Sequence, residues 1–159
     1  MLQLRGCGRD CVDHTQNLGL EGIRELVQRR LFLARCAVLL LAALPLSFDA
    51  GFSQLTTAFH AGASVILLNY LLPKDVVNAV AEHRVTGLTA VPPLWIQLTQ
   101  VRWPQPVADY LRYFANTGGR MPLATLTELR RLFPRAKPFL MYGLTEAFRA
   151  TYLPPEEVD

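Results

Sequence analysis

Between residues 37 and 142, short apolar runs alternate with stretches whose apolar residues recur three and four apart, and few folds accept that alternation. The runs predict strands over 37–44, 64–68, 86–91, 111–115 and 139–142. The periodic stretches predict helices over 50–61, 73–83, 94–101 and 122–133. The last is the clearest: Leu123, Leu126, Leu129, Leu132 and Phe133 form a stripe, Pro122 stands near its start and Pro134 follows its end. Pro73 opens another helix at a position where its missing N–H costs nothing. Strands and helices that alternate through short connections predict an α/β fold, a mostly parallel sheet with right-handed crossovers and helices on its faces.

In such a sheet ligands bind beyond the C-terminal ends of the strands. The segments 45–51, 116–119 and 142–146 each follow an expected strand, so they are expected to gather at one edge. Their residue types suit a phosphate-bearing ligand. Gly143 lets the backbone turn or approach a ligand closely, Thr145 offers a hydroxyl donor, and Glu146 is a carboxylate able to hold a divalent cation. The same residues also fit an ordinary strand-to-helix turn with Thr145 as its N-cap, and Gly118-Gly119 fits a plain turn.

Tyr142-Gly143-Leu144-Thr145-Glu146 resembles the Tyr-Gly-x-Thr-Glu motif of the adenylate-forming (AMP-binding) superfamily, which includes acyl-CoA synthetases, luciferases and the amino-acid-activating domains of peptide synthetases. Two further pieces match in that family's order: Leu44-Pro45-Leu46-Ser47-Phe48-Asp49-Ala50-Gly51-Phe52, and Asn116-Thr117-Gly118-Gly119-Arg120-Met121-Pro122. The wording of 115–122 and 139–157 is most similar to AMP-forming acyl-CoA ligases associated with the exosortase A system. The resemblance implies part of the large N-terminal domain of an acid–thiol ligase. Such an enzyme takes ATP and Mg2+, joins a carboxylic acid to the α-phosphorus as an acyl-adenylate with release of pyrophosphate, and passes the acyl group to the thiol of CoA or of an acyl-carrier protein.

By the same resemblance Gly118, Gly119 and Arg120 would contact adenine, with Tyr142 packing near the ring, and Gly143 would also belong to the nucleotide-binding set. Thr145 would touch the α-phosphate and Glu146 the magnesium ion, these two being the catalytic pair. Arg120 departs from the small or acidic residue often found there, and a solvated arginine is the other reading. Phe48 and Trp95 would line the acid pocket. Asp49 would pair with an α-amino group if the chain came from the amino-acid-activating branch; otherwise it is the N-cap of the following helix. For Trp95 the alternative is core packing, and His60 and His83 are expected on helix surfaces.

Composition narrows the remaining classes. A chain of 159 residues, 51% hydrophobic and 18% charged, is globular and long enough for one core. Its net charge of +3 comes from scattered arginines, with Lys74 and Lys137 its only lysines, so no basic stripe for nucleic acid is present. Cys7, Cys11 and Cys36 with His14 make a poor zinc pattern and are expected to be free thiols in a reducing cytoplasm. The apolar run 31–46 is interrupted by Arg35 and Pro45, too short an apolar stretch for a membrane span, and better suited to a buried strand.

Residues 1–36 stand apart from 37–159. They carry six arginines and no lysine, show no convincing sheet pattern, and admit a helix over 20–33 through Ile23, Leu26, Val27 and Leu31. The family's Ser/Thr/Gly-rich phosphate loop ending in Pro-Lys-Gly is expected in this region and is not found there. The expectation is therefore a truncated product with an unrelated beginning, or else a degenerate relative. On either account the chain is expected not to adenylate by itself, and a non-catalytic adenylate-binding module is the alternative to an enzyme fragment.

Overall fold

The computed structural model describes residues 3–5, 38–144, 146 and 148–158. The expected helix over 20–33, the three cysteines, His14 and Thr145 lie outside the described residues. In chain order the elements are β1 (Gln3–Arg5), β2 (Leu39–Ala42), α1 (Asp49–His60), β3 (Ser64–Leu67), α2 (Pro73–His83) and β4 (Gly87–Ala90). Then come α3 (Pro92–Gln100), α4 (Val107–Tyr110), β5 (Tyr113–Asn116), α5 (Leu123–Leu132), β6 (Lys137–Leu144), β7 (Phe148–Leu153) and a 3-10 turn over Pro155–Glu157.

The strands form one sheet in the order β1-β3-β2-β4-β5-β6-β7. β2 pairs in parallel with β3 and β4, β4 with β5, and β5 with β6. The edges differ: β1 and β7 run antiparallel to β3 and β6. The expected α/β architecture holds, with two additions. Gln3–Arg5 contributes an edge strand from a segment expected to lack one, and β6 does not close the series.

β7 corrects the reading of 142–146 as a strand-to-helix turn. The chain reverses at Glu146 and returns as a strand, so this segment is a hairpin. Its register shifts between Tyr142 and Gly143, where Tyr142 faces Thr151 but Gly143 faces Arg149. Such a bulge bends the ribbon at the edge where ligands bind in this class of sheet.

Alternation along the strands sorts side chains to two faces. Leu41, Ile66, Leu88 and Phe114 point to the face covered by α2, α3 and α5, where Val76, Val80, Leu94, Trp95, Leu98, Leu126 and Leu129 complete the main core. Leu40, Ala42 and Val65 point to the other face, where α1 supplies Leu55 and Ala58. Gln54 of α1 is buried there, and its Nε2 donates to Leu41 O at 3.2 Å.

Helix starts follow local chemistry. Pro73 is the first residue of α2, and the Asp75 carboxylate accepts from the backbone N–H of Leu72 at 2.9 Å, which satisfies an amide at the positive end of the helix. α3 begins at Pro92 rather than at 94, since consecutive prolines fit the first turn, where no intrahelical N–H donor is needed. The N-cap of α1 is Phe48, not Asp49; Asp49 is the first helical residue and makes no capping hydrogen bond.

Gly51, buried in the first turn of α1, lies against the Leu44-Pro45 backbone, and a methyl there would overlap the Pro45 carbonyl. Glycine-to-alanine changes inside helices ordinarily gain ~1 kcal/mol. Here the overlap with rigid backbone outweighs that gain, so Gly51→Ala is expected to destabilise by about 1–3 kcal/mol. A lower urea midpoint at unchanged slope is the expected result, and an unchanged or higher midpoint would show that the 44–45 segment yields freely.

Candidate nucleotide and acid site

The C-terminal ends of β5 and β6 open into a cleft of about 940 Å3. Its walls are the 116–121 segment, Leu123 and Leu126 of α5, residues 140–144 of β6, and Thr151, Tyr152 and Leu153 of β7. The parallel register of β5 and β6, pairing Asn116 with Leu140, brings the glycine turn beside the hairpin. Gly118 has φ +72°, a conformation that favours glycine, and methyls on Gly118 and Gly119 would press on Val91 and Pro92. Asn116 holds the turn: its Nδ2 donates to Gly119 O at 2.7 Å. The buried Oδ1 of the same amide has no partner in the protein.

Tyr142, 62% exposed, presents its ring at the cleft, and half-buried Gly143 lines it alongside. Arg120 is exposed on the rim and is the only ionised side chain among the described residues lining the cleft. Glu146 is exposed at the hairpin turn, just beyond Leu144.

A second cavity, of about 340 Å3, lies on the other face of the sheet, beneath α1. Leu40, Gln54, Thr57, Thr89, Tyr113, Ala115, Phe139, Met141 and Tyr152 line it, and none is ionised. Sequence reasoning did not single out this cavity. Its signal was present in strand alternation, which puts Ala115 and Tyr113, or Met141 and Phe139, on one face. The helix that covers them, however, starts at Asp49, far earlier in the chain than either pair.

The structure brings two of the three motif segments into one cleft. The third, ahead of α1, lines a separate cavity through Leu44, Pro45 and Leu46, together with Leu67, Leu68, Asn69 and Tyr70. It lies along the same edge of the sheet, but β4 stands between β2 and β5. Phe48 is 59% exposed and Asp49 is half-buried, and neither lines the cleft or the cavity beneath α1.

Trp95 corrects the acid-pocket expectation. It is fully buried, its Nε1 donates to Ala115 O at 3.2 Å, and it meets Phe114 edge-on at 5.7 Å between centroids. Because α3 begins at Pro92, Leu94, Trp95 and Leu98 form the stripe that faces the sheet. Trp95 therefore belongs to the core. His60 is exposed, and His83 is partly covered beside Glu82.

Residues 13–159 match the family model described as AMP-binding enzyme. The chain belongs to that family. Among curated proteins it is 28% identical over 102 residues to bacitracin synthase 3 of Bacillus licheniformis, covering 63% of this chain and 2% of that protein. Among solved structures, O-succinylbenzoate coenzyme A synthetase (MenE) from Bacillus subtilis, in complex with ATP and magnesium ion, is 30% identical with a TM-score of 0.63. That match covers 74% of this chain and 24% of the synthetase. VinN in complex with L-aspartate is 26% identical with a TM-score of 0.64, over 76% of this chain and 30% of VinN. The chain thus spans less than a third of each of these relatives.

No described helix is long and apolar enough to cross a membrane, and part of the apolar 31–46 run forms the buried strand β2. Among the described residues no group of three His, Cys, Asp or Glu is placed to hold a metal ion. A nucleotide-borne magnesium needs less, since it keeps waters and takes one or two carboxylates besides phosphate oxygens. Glu146 at the hairpin turn fits that requirement. The exposed glycine turn and the exposed Tyr142 ring likewise fit a flat base.

Proposed function

We propose that the chain is the central part of an AMP-forming acid–thiol ligase, the nucleotide in the cleft over Tyr142 and Gly143 and the acid's tail in the cavity beneath α1. One observation carries the reading: Met141 and Tyr152 line both cavities, so one ligand can extend from the nucleotide cleft to the apolar cavity. An acyl-adenylate has that bipartite form.

Each group has a limited task. Gly118 and Gly119 admit the base to the backbone, and Tyr142 stacks on it. Thr145 donates to the α-phosphate, and Glu146 helps hold the magnesium that would neutralise phosphate charge. Positioning the carboxylate against the α-phosphorus supplies much of the catalysis in such a reaction. The lining of the α1 cavity favours an uncharged tail over a charged amino acid, which supports the acyl-CoA ligase reading over the peptide-synthetase-like one. We keep the exosortase A system-associated ligases as the proposed subgroup, with CoA or an acyl-carrier protein as thiol acceptor in the cytoplasm.

Isothermal titration of the purified chain with AMP and with an acyl-sulfamoyl adenosine tests the reading. Saturable heat is expected for both. Tyr142→Ala is expected to weaken both about tenfold, since stacking of a base on an aromatic ring is worth ~1–3 kcal/mol, and the exposed ring can be removed without opening the core. Thr145→Val should weaken them as well. No heat at millimolar ligand would overturn the proposal.

A further inference from the structure

We infer that Tyr113 is the floor of the acid cavity and sets the length of tail the site accepts, an inference that rests on the function proposed above. Strand register supplies the depth scale. β4, β5 and β6 run parallel toward the nucleotide edge, so residues early in each strand lie deepest. On the face beneath α1, Thr89 and Ala115 pair side by side at mid-depth, with Phe139 paired to Ala115 on the flank. One row deeper, Leu40, Gly87 and Tyr113 pair in turn.

Side-chain size along this path changes abruptly. The middle row offers a threonine and an alanine, which leave room, and the next row offers a tyrosine, which closes it. The Tyr113 ring lies over Gly87, and a methyl at Gly87 would overlap it, so the ring covers the bottom of the cavity instead of standing to one side. It is held there by Phe139, which meets it edge-on with centroids 5.8 Å apart, and Tyr152 stands beyond Phe139 at 6.3 Å. An apolar tail entering beside Met141 passes Ala115 and Thr89 and stops on Tyr113.

The test uses the full chain and a series of acyl-sulfamoyl adenosines with saturated tails of increasing length, with AMP as a separate ligand. In the unaltered protein affinity is expected to rise roughly fourfold per methylene until the tail meets the ring, and to fall beyond that length. Tyr113→Ala is expected to move the cut-off to longer tails, and the first analogues beyond the original cut-off gain roughly tenfold. Tyr113→Leu, which removes the ring with less loss of volume, should move the cut-off in the same direction, whereas Tyr113→Phe should keep it. AMP affinity should be the same in all four proteins.

An unmoved cut-off in the folded Tyr113→Leu protein with AMP still bound would overturn the role of Tyr113 and leave the functional reading standing. Binding of AMP with no dependence on tail length would do the same. Failure of the unaltered chain to bind AMP or any analogue would overturn both.

Discussion

Trp95→Ala is expected to lower the unfolding free energy by about 3–5 kcal/mol, the usual range for removing a fully buried aromatic side chain. The indole is completely enclosed, bonded through Nε1 to Ala115 O and packed edge-on against Phe114, so its removal leaves a void between α3 and the sheet and takes away one donor. Domains of this size hold only ~5–15 kcal/mol in total, so the variant should lose a large share of its stability. Urea unfolding followed by circular dichroism measures the loss. Trp95→Phe keeps most of the packing and should lose far less. It also separates the core role from the acid-pocket role. Trp95 lines neither the cleft nor the cavity beneath α1, so Trp95→Phe should bind acyl-sulfamoyl adenosines as the unaltered chain does. A stable Trp95→Phe protein with lost analogue binding would return Trp95 to the acid site.

The second large effect is on turnover. The purified 159-residue polypeptide is expected to show no carboxylate-dependent ATP–pyrophosphate exchange above a Glu146→Ala control, across a panel of fatty and amino acids. The departing pyrophosphate carries several negative charges. Among the described residues lining the cleft, Arg120 is the only cation present to meet them. Losing one preorganised charge-stabilising donor typically costs ~10²–10³ in rate, and stabilising pyrophosphate takes several. Binding and turnover should therefore part company: saturable heat with AMP, no exchange with ATP. Exchange clearly above the Glu146→Ala control would show that positive charge reaches the phosphates from elsewhere in the chain.

Much of the site was readable because its parts are local. Gly118-Gly119 and Tyr142-Gly143 each follow a strand within a few residues, and a parallel sheet sends such segments to one edge whatever the strand order. Asp49 and Trp95 show where local signals stop. A capping aspartate and a helix-starting aspartate differ by one position in where α1 begins, and Phe48 takes the cap. A tryptophan after Pro92-Pro93 can face a pocket or the core, depending on the helix phase, and starting α3 at Pro92 turns it to the sheet.

By itself the sequence determined the alternation of strands and helices, the starts of α2 and α5 near Pro73 and Pro122, and the edge to which the glycine turn and the Tyr142–Glu146 segment are delivered. These depend on side-chain period and backbone chemistry over a dozen residues or fewer. Only the tertiary structure decided that β4 separates β2 from β5, that β7 turns the last motif into a hairpin, and that α1 roofs a cavity lined by Tyr113, whose ring lies over Gly87. Each of these is a pairing between segments brought together by folding, and the residues on either side carry no mark of the other until the sheet has formed.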